Sequence, residues 1–387
     1  MLAGIAIVLA LASAALPAAS AAPGTWSGSQ PESARQFVGG QQLGSAGIVV
    51  HYPARGARKL PRVPAAAFVI ADASTGQVLA AKDAHGLFPP ASTLKILTAI
   101  TLIPLLNPNA MVVTTRRATS VEPNVVGLIA GHRYQVADLF RALLLISAND
   151  AAVSLVQATG SFARGMALIN EEAHRLQAYD VVAKQPNGLP AAGQVVSAYD
   201  EALIARQALA IPAFMKYDST LAARFQVKKR KWVTLVNQNT LLTGYRGGIG
   251  GKIGWTVKSE ATYIGLARRH GVTLIVTLLH CTPLQEITSG ERLLSWGFAM
   301  AGKVAPVGVL VQPLPRAGPA HRGSIAAGHS QAGHAQADLA PGSSRSLPPL
   351  PIVIATALIA AVAAGLALSR HAWSRRRSAG PGQSPPV

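Results

Sequence analysis

The sequence predicts an α+β domain, and three observations carry that expectation. Phe68-Val-Ile-Ala and Gln77-Val-Leu-Ala flank Asp72-Ala-Ser-Thr-Gly76, a pair of short apolar strands joined as a hairpin by a Gly-ended turn. Pro89-Pro90-Ala91 then precede an apolar run from Ser92 to Ile103 whose proline start suits a buried helix opening near Ser92. Tyr263 to Leu266 and Val272 to Leu279 read as apolar strands late in the chain.

The ends predict the compartment. Residues 1–21 read as a secretory signal peptide: Leu2 to Leu16 is apolar, Pro17 follows, and an A-x-A cleavage motif ends at Ala21. The first Lys or Arg is Arg35, so this signal lacks a basic leading region. Residues 22–60 are expected to be a loosely ordered lead-in, and residues 61–303 the catalytic body. Residues 304–349, rich in Pro, Gly, Ala and Ser, are a linker in which His321, His329 and His334 are too irregularly spaced for a metal site. Leu350 to Leu368 is free of charge and about 28 Å long as a helix, close to a bilayer core of roughly 30 Å. This transmembrane helix is followed over 369–387 by Arg370, Arg375, Arg376 and Arg377, which place the C-terminus in the cytoplasm and the body outside it.

Composition narrows the classes. Half the chain is hydrophobic and 13% is charged, which supplies a core and excludes a disordered protein. The single cysteine, Cys281, excludes a disulfide framework within the chain and any cysteine-cluster metal site, and its apolar run marks it as a core residue. Lys plus Arg exceed Asp plus Glu by 35 to 16, and the formal charge of +19 favours a polyanionic neighbour. The basic residues are dispersed and form no nucleic-acid motif, so anionic lipid and anionic wall polymer rank ahead of nucleic acid.

Ser92 and Lys95 lie one turn apart on one helical face. A lysine made neutral by burial or by a neighbouring cation can take the proton of a serine hydroxyl, which is otherwise a weak nucleophile. Alone the pair is a weak signal, because one or two chance Ser-x-x-Lys matches are expected in a chain this long, at roughly 7% Ser and 6% Lys. Its company is what counts. Phe140 to Ile146 reads as a helix ending in the polar turn Ser147-Ala148-Asn149-Asp150, with a second helix after it. Gly247 to Thr256 is a glycine-rich strand carrying one lysine, Lys252. The order Ser-x-x-Lys, Ser-x-Asn, Lys-x-Gly is that of the serine acyl-transferases that react with penicillin.

On these segments the chain resembles the D-alanyl-D-alanine carboxypeptidases, low-molecular-mass penicillin-binding proteins of peptidase family S11, over approximately residues 64 to 300. Phe88 to Lys95, Leu143 to Ala152, Pro186-Asn187-Gly188-Leu189 with Ser197 to Asp200, Asn237 to Leu242 and Leu293 to Phe298 each match a family segment in order. The resemblance implies a DD-peptidase/β-lactamase-like α+β fold, an antiparallel sheet flanked by helices plus an α-helical lobe, with the site between sheet edge and lobe. It implies Ser92 as nucleophile, Lys95 as general base, Ser147 as proton relay, and Asn149 on the substrate amide or on Lys95. Lys252, Gly254, Trp255 and Thr256 would line the substrate, with backbone N–H groups of Ser92 and Trp255 as oxyanion hole. The implied partners are a peptidoglycan stem peptide and β-lactam antibiotics as covalent inhibitors, with no metal and no cofactor.

Two departures fall on recognition of the substrate's terminal carboxylate. Ile253 stands where the family usually has Thr or Ser, and Leu284-Gln285-Glu286 stands where an arginine is common. These predict weak carboxypeptidase turnover, an internal cross-link as substrate (a DD-endopeptidase), or a catalytically weakened wall-binding scaffold. Against the scaffold, a drifting pseudoenzyme has no need to keep Ser92, Lys95, Ser147, Asn149 and Lys252 together. A class A β-lactamase is disfavoured because Glu171, Glu172 and Glu201 all lack the asparagine that accompanies its deacylating glutamate.

Overall fold

The computed structural model describes residues 37–316. Strand β1 (Ile48–Val49) is followed by β2 (Ala65–Asp72) and β3 (Gln77–Lys82), the predicted hairpin. Its turn is held by Asp72, whose Oδ1 accepts from Ser74 N at 2.8 Å, and is closed by Gly76 in the left-handed region (φ 77°). A 3-10 turn over Ala91–Thr93 then opens helix α1 (Leu94–Leu102). There follow β4 (Met111–Val113), α2 (Arg116–Thr119), β5 (Arg133–Gln135), α3 (Val136–Leu145), α4 (Asn149–Gln157) and α5 (Phe162–Arg175). Next come α6 (Ala198–Leu209), α7 (Pro212–Asp218), a hairpin of β6 (Ala222–Lys228) and β7 (Lys231–Val236), and α8 (Leu241–Gly244). The chain returns to the sheet with β8 (Gly248–Thr256), β9 (Glu260–Arg269) and β10 (Val272–Cys281), crosses it with α9 (Glu286–Met300), and ends with β11 (Gly308–Val309).

The main sheet is antiparallel in the order β1-β3-β2-β10-β9-β8, with β11 also on β3. Alternation splits its side chains between two cores. Ala67, Val69, Ala71, Ile264, Leu266 and Ile275 face the larger core, which α6 and the helical lobe cover. Phe68, Ile70, Tyr263, Leu274, Val276 and Leu278 face the smaller one under α9, where Cys281 is buried and free. In the lobe, every residue of α1 is buried. A helix apolar nearly all round belongs at the centre of its neighbours, here α3, α4, α5 and α6.

The packed body extends past the expected limits of 61 and 303. β1 pairs with β3 at Ile48↔Lys82, β11 pairs with it at Gly308↔Val78, and Leu43, Val304, Val307 and Leu310 are buried. Part of the lead-in and the first residues of the linker therefore belong to the body. They cover the outer edge of β3, whose backbone groups would otherwise be open to pairing with another chain. The lead-in is tied to α9 as well, through Trp296 Nε1 donating to Arg58 O at 2.8 Å. Among the described residues no helix is long and apolar enough to cross a membrane. The signal peptide at 1–21, the three linker histidines and the span at 350–368 lie outside those residues.

Candidate active site

The sequence placed Ser92 at a helix start, and the reason it projects there is a tight crossing. Ala91 takes a left-handed conformation (φ 47°) directly before it. Gly188 (φ 81°) passes so close that a β-carbon there would fall on the Ala91 carbonyl. From the other side Gly254 of β8 presses on the same turn, where a β-carbon would sit 2.6 Å from Ser92 N and 3.0 Å from Ala91 Cβ. Ser92 is thus wedged between the free edge of the sheet and the 187–188 segment.

Lys95, fully buried, stands one turn on. Its Nζ lies 2.7 Å from Ser92 Oγ, 2.7 Å from Asn149 Oδ1 and 2.6 Å from Asn187 O. Asn149 is oriented by donating from Nδ2 to Glu122 O at 2.9 Å, which turns its oxygen to the lysine. Two of the three neighbours can only accept. A neutral amine therefore spends its two N–H groups on Asn149 and Asn187 and points its lone pair at the Ser92 hydroxyl, the arrangement a general base requires. Burial pushes the Lys95 pKa well below that of a free lysine, and the charge of Lys252 lowers it further, against the pull of Asp150.

Lys252 is itself buried on β8, donating from Nζ to Ile253 O at 2.7 Å. Burial lowers its pKa to about 7, against the raising effect of Asp218. Asp218, at the end of α7, accepts from Gly251 N at 2.6 Å, and burial lifts its own pKa to about 7. Gly250 makes room for that carboxylate, since a β-carbon there would strike Asp218 Oδ2.

Ser147 links α3 and α4 in a left-handed conformation (φ 62°), and its buried Oγ has no hydrogen-bond partner among the described residues. It stands two residues before Asn149, which contacts Lys95, and a buried hydroxyl left unpaired there calls for a partner from outside the chain. Asp150 fixes the facing loop by accepting from Val126, Gly127 and Leu128 N at 2.9 to 3.0 Å. Lys95 thus contacts both Ser92 and Asn149, Gly254 abuts Ser92, and Lys252 acts on Lys95 through its charge. Trp255 is largely exposed at the rim. The Thr256 hydroxyl is engaged with Ser259 Oγ at 2.6 Å in the β8–β9 turn, so it does not stand free as a carboxylate ligand. Ile253 packs against the smaller core on the α9 side.

Sequence reasoning missed several supporting groups. Asn187 sat in a quoted segment without a role, and its contribution is a backbone carbonyl that no residue type announces. Asp218 carries no spacing signal and meets β8 only through the tertiary fold. Glu201, weighed only as a lactamase residue, is buried behind the nucleophile turn and contacts Thr93 Oγ1. Among the described residues no group of three or more His, Cys, Asp or Glu could hold a metal ion.

Comparison with known proteins gives one family. The model for D-alanyl-D-alanine carboxypeptidase of peptidase family S11 matches residues 55–282. The chain is 34% identical over 251 residues to the D-alanyl-D-alanine carboxypeptidase DacB2 of Mycobacterium tuberculosis, covering 63% of this chain and 86% of that one. It is 26% identical to DacF of Bacillus subtilis, of whose length it spans 61%. A crystal structure of a D-alanyl-D-alanine carboxypeptidase from Mycobacterium tuberculosis superposes with a TM-score of 0.63 at 34% identity, over 67% of this chain and 99% of that one. A Streptomyces DD-transpeptidase mutant gives a TM-score of 0.59 at 26% identity, over 62% and 99%.

Proposed function

From the fact that the chain belongs to the D-alanyl-D-alanine carboxypeptidases, serine-type peptidases of family S11, we propose that it trims peptidoglycan stem peptides through an acyl-enzyme on Ser92. The observation that carries this reading is the Lys95 amine, buried and held by two acceptors with its third direction on Ser92 Oγ.

In the proposed reaction Ser92 Oγ attacks the carbonyl of the terminal D-Ala-D-Ala bond and its proton passes to Lys95 Nζ. Backbone N–H groups of Ser92 and Trp255 take the oxyanion. The C–N bond then breaks, the departing D-alanine amine gains a proton by way of Ser147, and an ester remains on Ser92. Water attacks the ester with Lys95 again as base, releasing the shortened peptide and restoring the serine. Lys252 adds positive potential for an anionic substrate, and Asn149 holds Lys95 and can turn to the substrate amide. Gly254 and Trp255 form the substrate-facing edge. β-Lactams would acylate the same serine.

In this reading the protein is exported by residues 1–21 and held by a single span at 350–368, with the body on the wall side and the C-terminus cytoplasmic. A second reading, DD-endopeptidase action on a cross-link or a weakened homologue, is favoured by Ile253 and Glu286, which offer a terminal carboxylate neither a hydroxyl nor a cation. Benzylpenicillin and intact mass test the main reading on the full chain. A stoichiometric adduct absent from Ser92→Ala is expected; no adduct at millimolar drug would move the scaffold role to first place.

A further inference from the structure

The β6–β7 hairpin bears Arg224, Lys228, Lys229, Arg230 and Lys231, and no acidic residue between Ala222 and Val236. None of these five cations enters an ion pair among the described residues. The register Arg224↔Thr234 and Gln226↔Trp232 puts Arg224 and Trp232 on one exposed face, with the guanidinium 4.9 Å from the indole centre. The other face is clamped to the lobe: Phe225, Val227 and Leu235 are buried, and Tyr134 stacks on Phe225 and donates to Val227 O at 2.7 Å. At the tip Lys228 pairs directly with Lys231, like charges facing each other across the ladder. That pairing disfavours the hairpin, and local conflicts of this kind mark functional positions.

The base of the hairpin joins both walls of the cleft. Asn237 Nδ2 donates to Asp218 O at 2.8 Å, and Asp218 supports β8 beside Lys252. Gln238 N donates to Leu145 O at 3.0 Å, two residues before Ser147. We propose that this hairpin is a docking surface for a phosphate-bearing anionic polymer of the cell wall, gripping it at the edge of the catalytic cleft. The inference rests on the wall-side reading given above. A bilayer surface fits less well, because residues 228–231 offer no apolar side chain to insert and the exposed Trp232 beside them is covered by the Arg224 guanidinium.

The test uses the full chain and immobilised poly(glycerol phosphate), with Lys228→Gln, Lys229→Gln, Arg230→Gln and Lys231→Gln combined in one variant. Five neutralised phosphates, at a counterion slope of about −0.7 each, predict that wild-type affinity falls roughly 100-fold between 50 and 200 mM salt. The fourfold variant should lose most of that slope and at least about tenfold in affinity at 50 mM, a loss on the order of four screened surface charges. Its benzylpenicillin acylation should match wild type, showing an intact site. Equal polymer binding by the variant overturns the proposal, as does a drop in binding to anionic phosphatidylglycerol vesicles, from wild type to variant, as large as the drop on the polymer at equal phosphate. Absence of a penicillin adduct in both proteins would overturn the catalytic reading alone, since polymer binding is read without it.

Discussion

Substituting Gly254 by alanine probes the wedge that positions the nucleophile. The added β-carbon would stand 2.6 Å from Ser92 N and 2.5 Å from Thr262 Oγ1, whereas ordinary contact begins at 3.4 Å. The Thr262 hydroxyl can rotate away, but Ser92 N is backbone that no rotamer change relieves, so the difference of 3.4 minus 2.6 means β8 and the Ser92 turn must part by about 0.8 Å. Overpacking of this kind costs about 1–3 kcal/mol. At roughly 2–4 °C per kcal/mol for a domain of this size, the melting temperature should fall by about 2–12 °C. A shift near 1 Å in reacting groups can remove about 100-fold in rate, so acylation should suffer far more than folding does. The assay is the second-order rate of benzylpenicillin acylation by intact mass, on a sample whose cooperative melt has been recorded first. A folded Gly254→Ala protein that acylates within about threefold of wild type would refute the claim that this crossing sets the geometry of Ser92.

Three further outcomes follow from the same site. Ile253→Thr supplies a hydroxyl for a terminal carboxylate and should raise kcat/KM on a D-Ala-D-Ala peptide about ten- to a hundredfold, the worth of a hydrogen bond to a charged group at 1.5–3 kcal/mol; steady-state kinetics showing no gain would refute the expectation that Ile253 weakens carboxylate recognition. Lys252, at about pKa 7, loses its charge as pH rises through neutrality, so calorimetric binding of the benzylpenicillin anion to Ser92→Ala protein should weaken above that pH. Asp218→Asn removes the carboxylate that holds this pKa up, and the decline should then begin at lower pH; an unmoved profile would sink the linkage. Thr93 has one hydroxyl proton and faces both Pro90 O at 2.6 Å and Glu201 Oε1, so if the carbonyl accepts it the glutamate must be the donor, in accord with a Glu201 pKa that burial raises well above its usual value. Glu201→Gln keeps a donor and should melt close to wild type, whereas Glu201→Ala should cost about 1–3 kcal/mol; equal melts would contradict the assignment.

The strongly patterned parts of the chain were legible. The β2–β3 hairpin, the helix opening at Ser92, the turn between α3 and α4 and the strand of Lys252 all lie where periodicity and turn residues predict them. What escaped has a common physical form. β1 and β11 are two residues long, too short for any alternation, and exist only because β3 needs its edge covered. The supporting groups Asn187, Asp218 and Glu201 act through a backbone carbonyl or through burial against elements distant in sequence. Their roles depend on which segments the fold brings together, and no local spacing encodes that.

The two faces of β8 divide the chemistry and explain why the departures from the family cluster as they do. Gly254 presses on the Ser92 turn, where Ser92, Lys95 and Asn149 gather, and the charge of Lys252 reaches Lys95. Ile253 turns toward the smaller core, opposite Tyr263 in the β8–β9 ladder. Glu286 opens α9, the helix that covers this smaller core, and its neighbour Ile287 packs there. In the proposed function, Ile253 in place of a hydroxyl residue and Glu286 in place of a cation bear on what the substrate carries beyond the scissile bond, while the Lys95–Ser92 contact is left intact. On the proposed function, acylation and carboxylate recognition would then be separable. The proposed reading therefore predicts that penicillin, whose reactive ring is strained, acylates Ser92 faster than a D-Ala-D-Ala peptide is turned over; intact-mass acylation rates beside peptide kinetics check this, and equal rates would refute it.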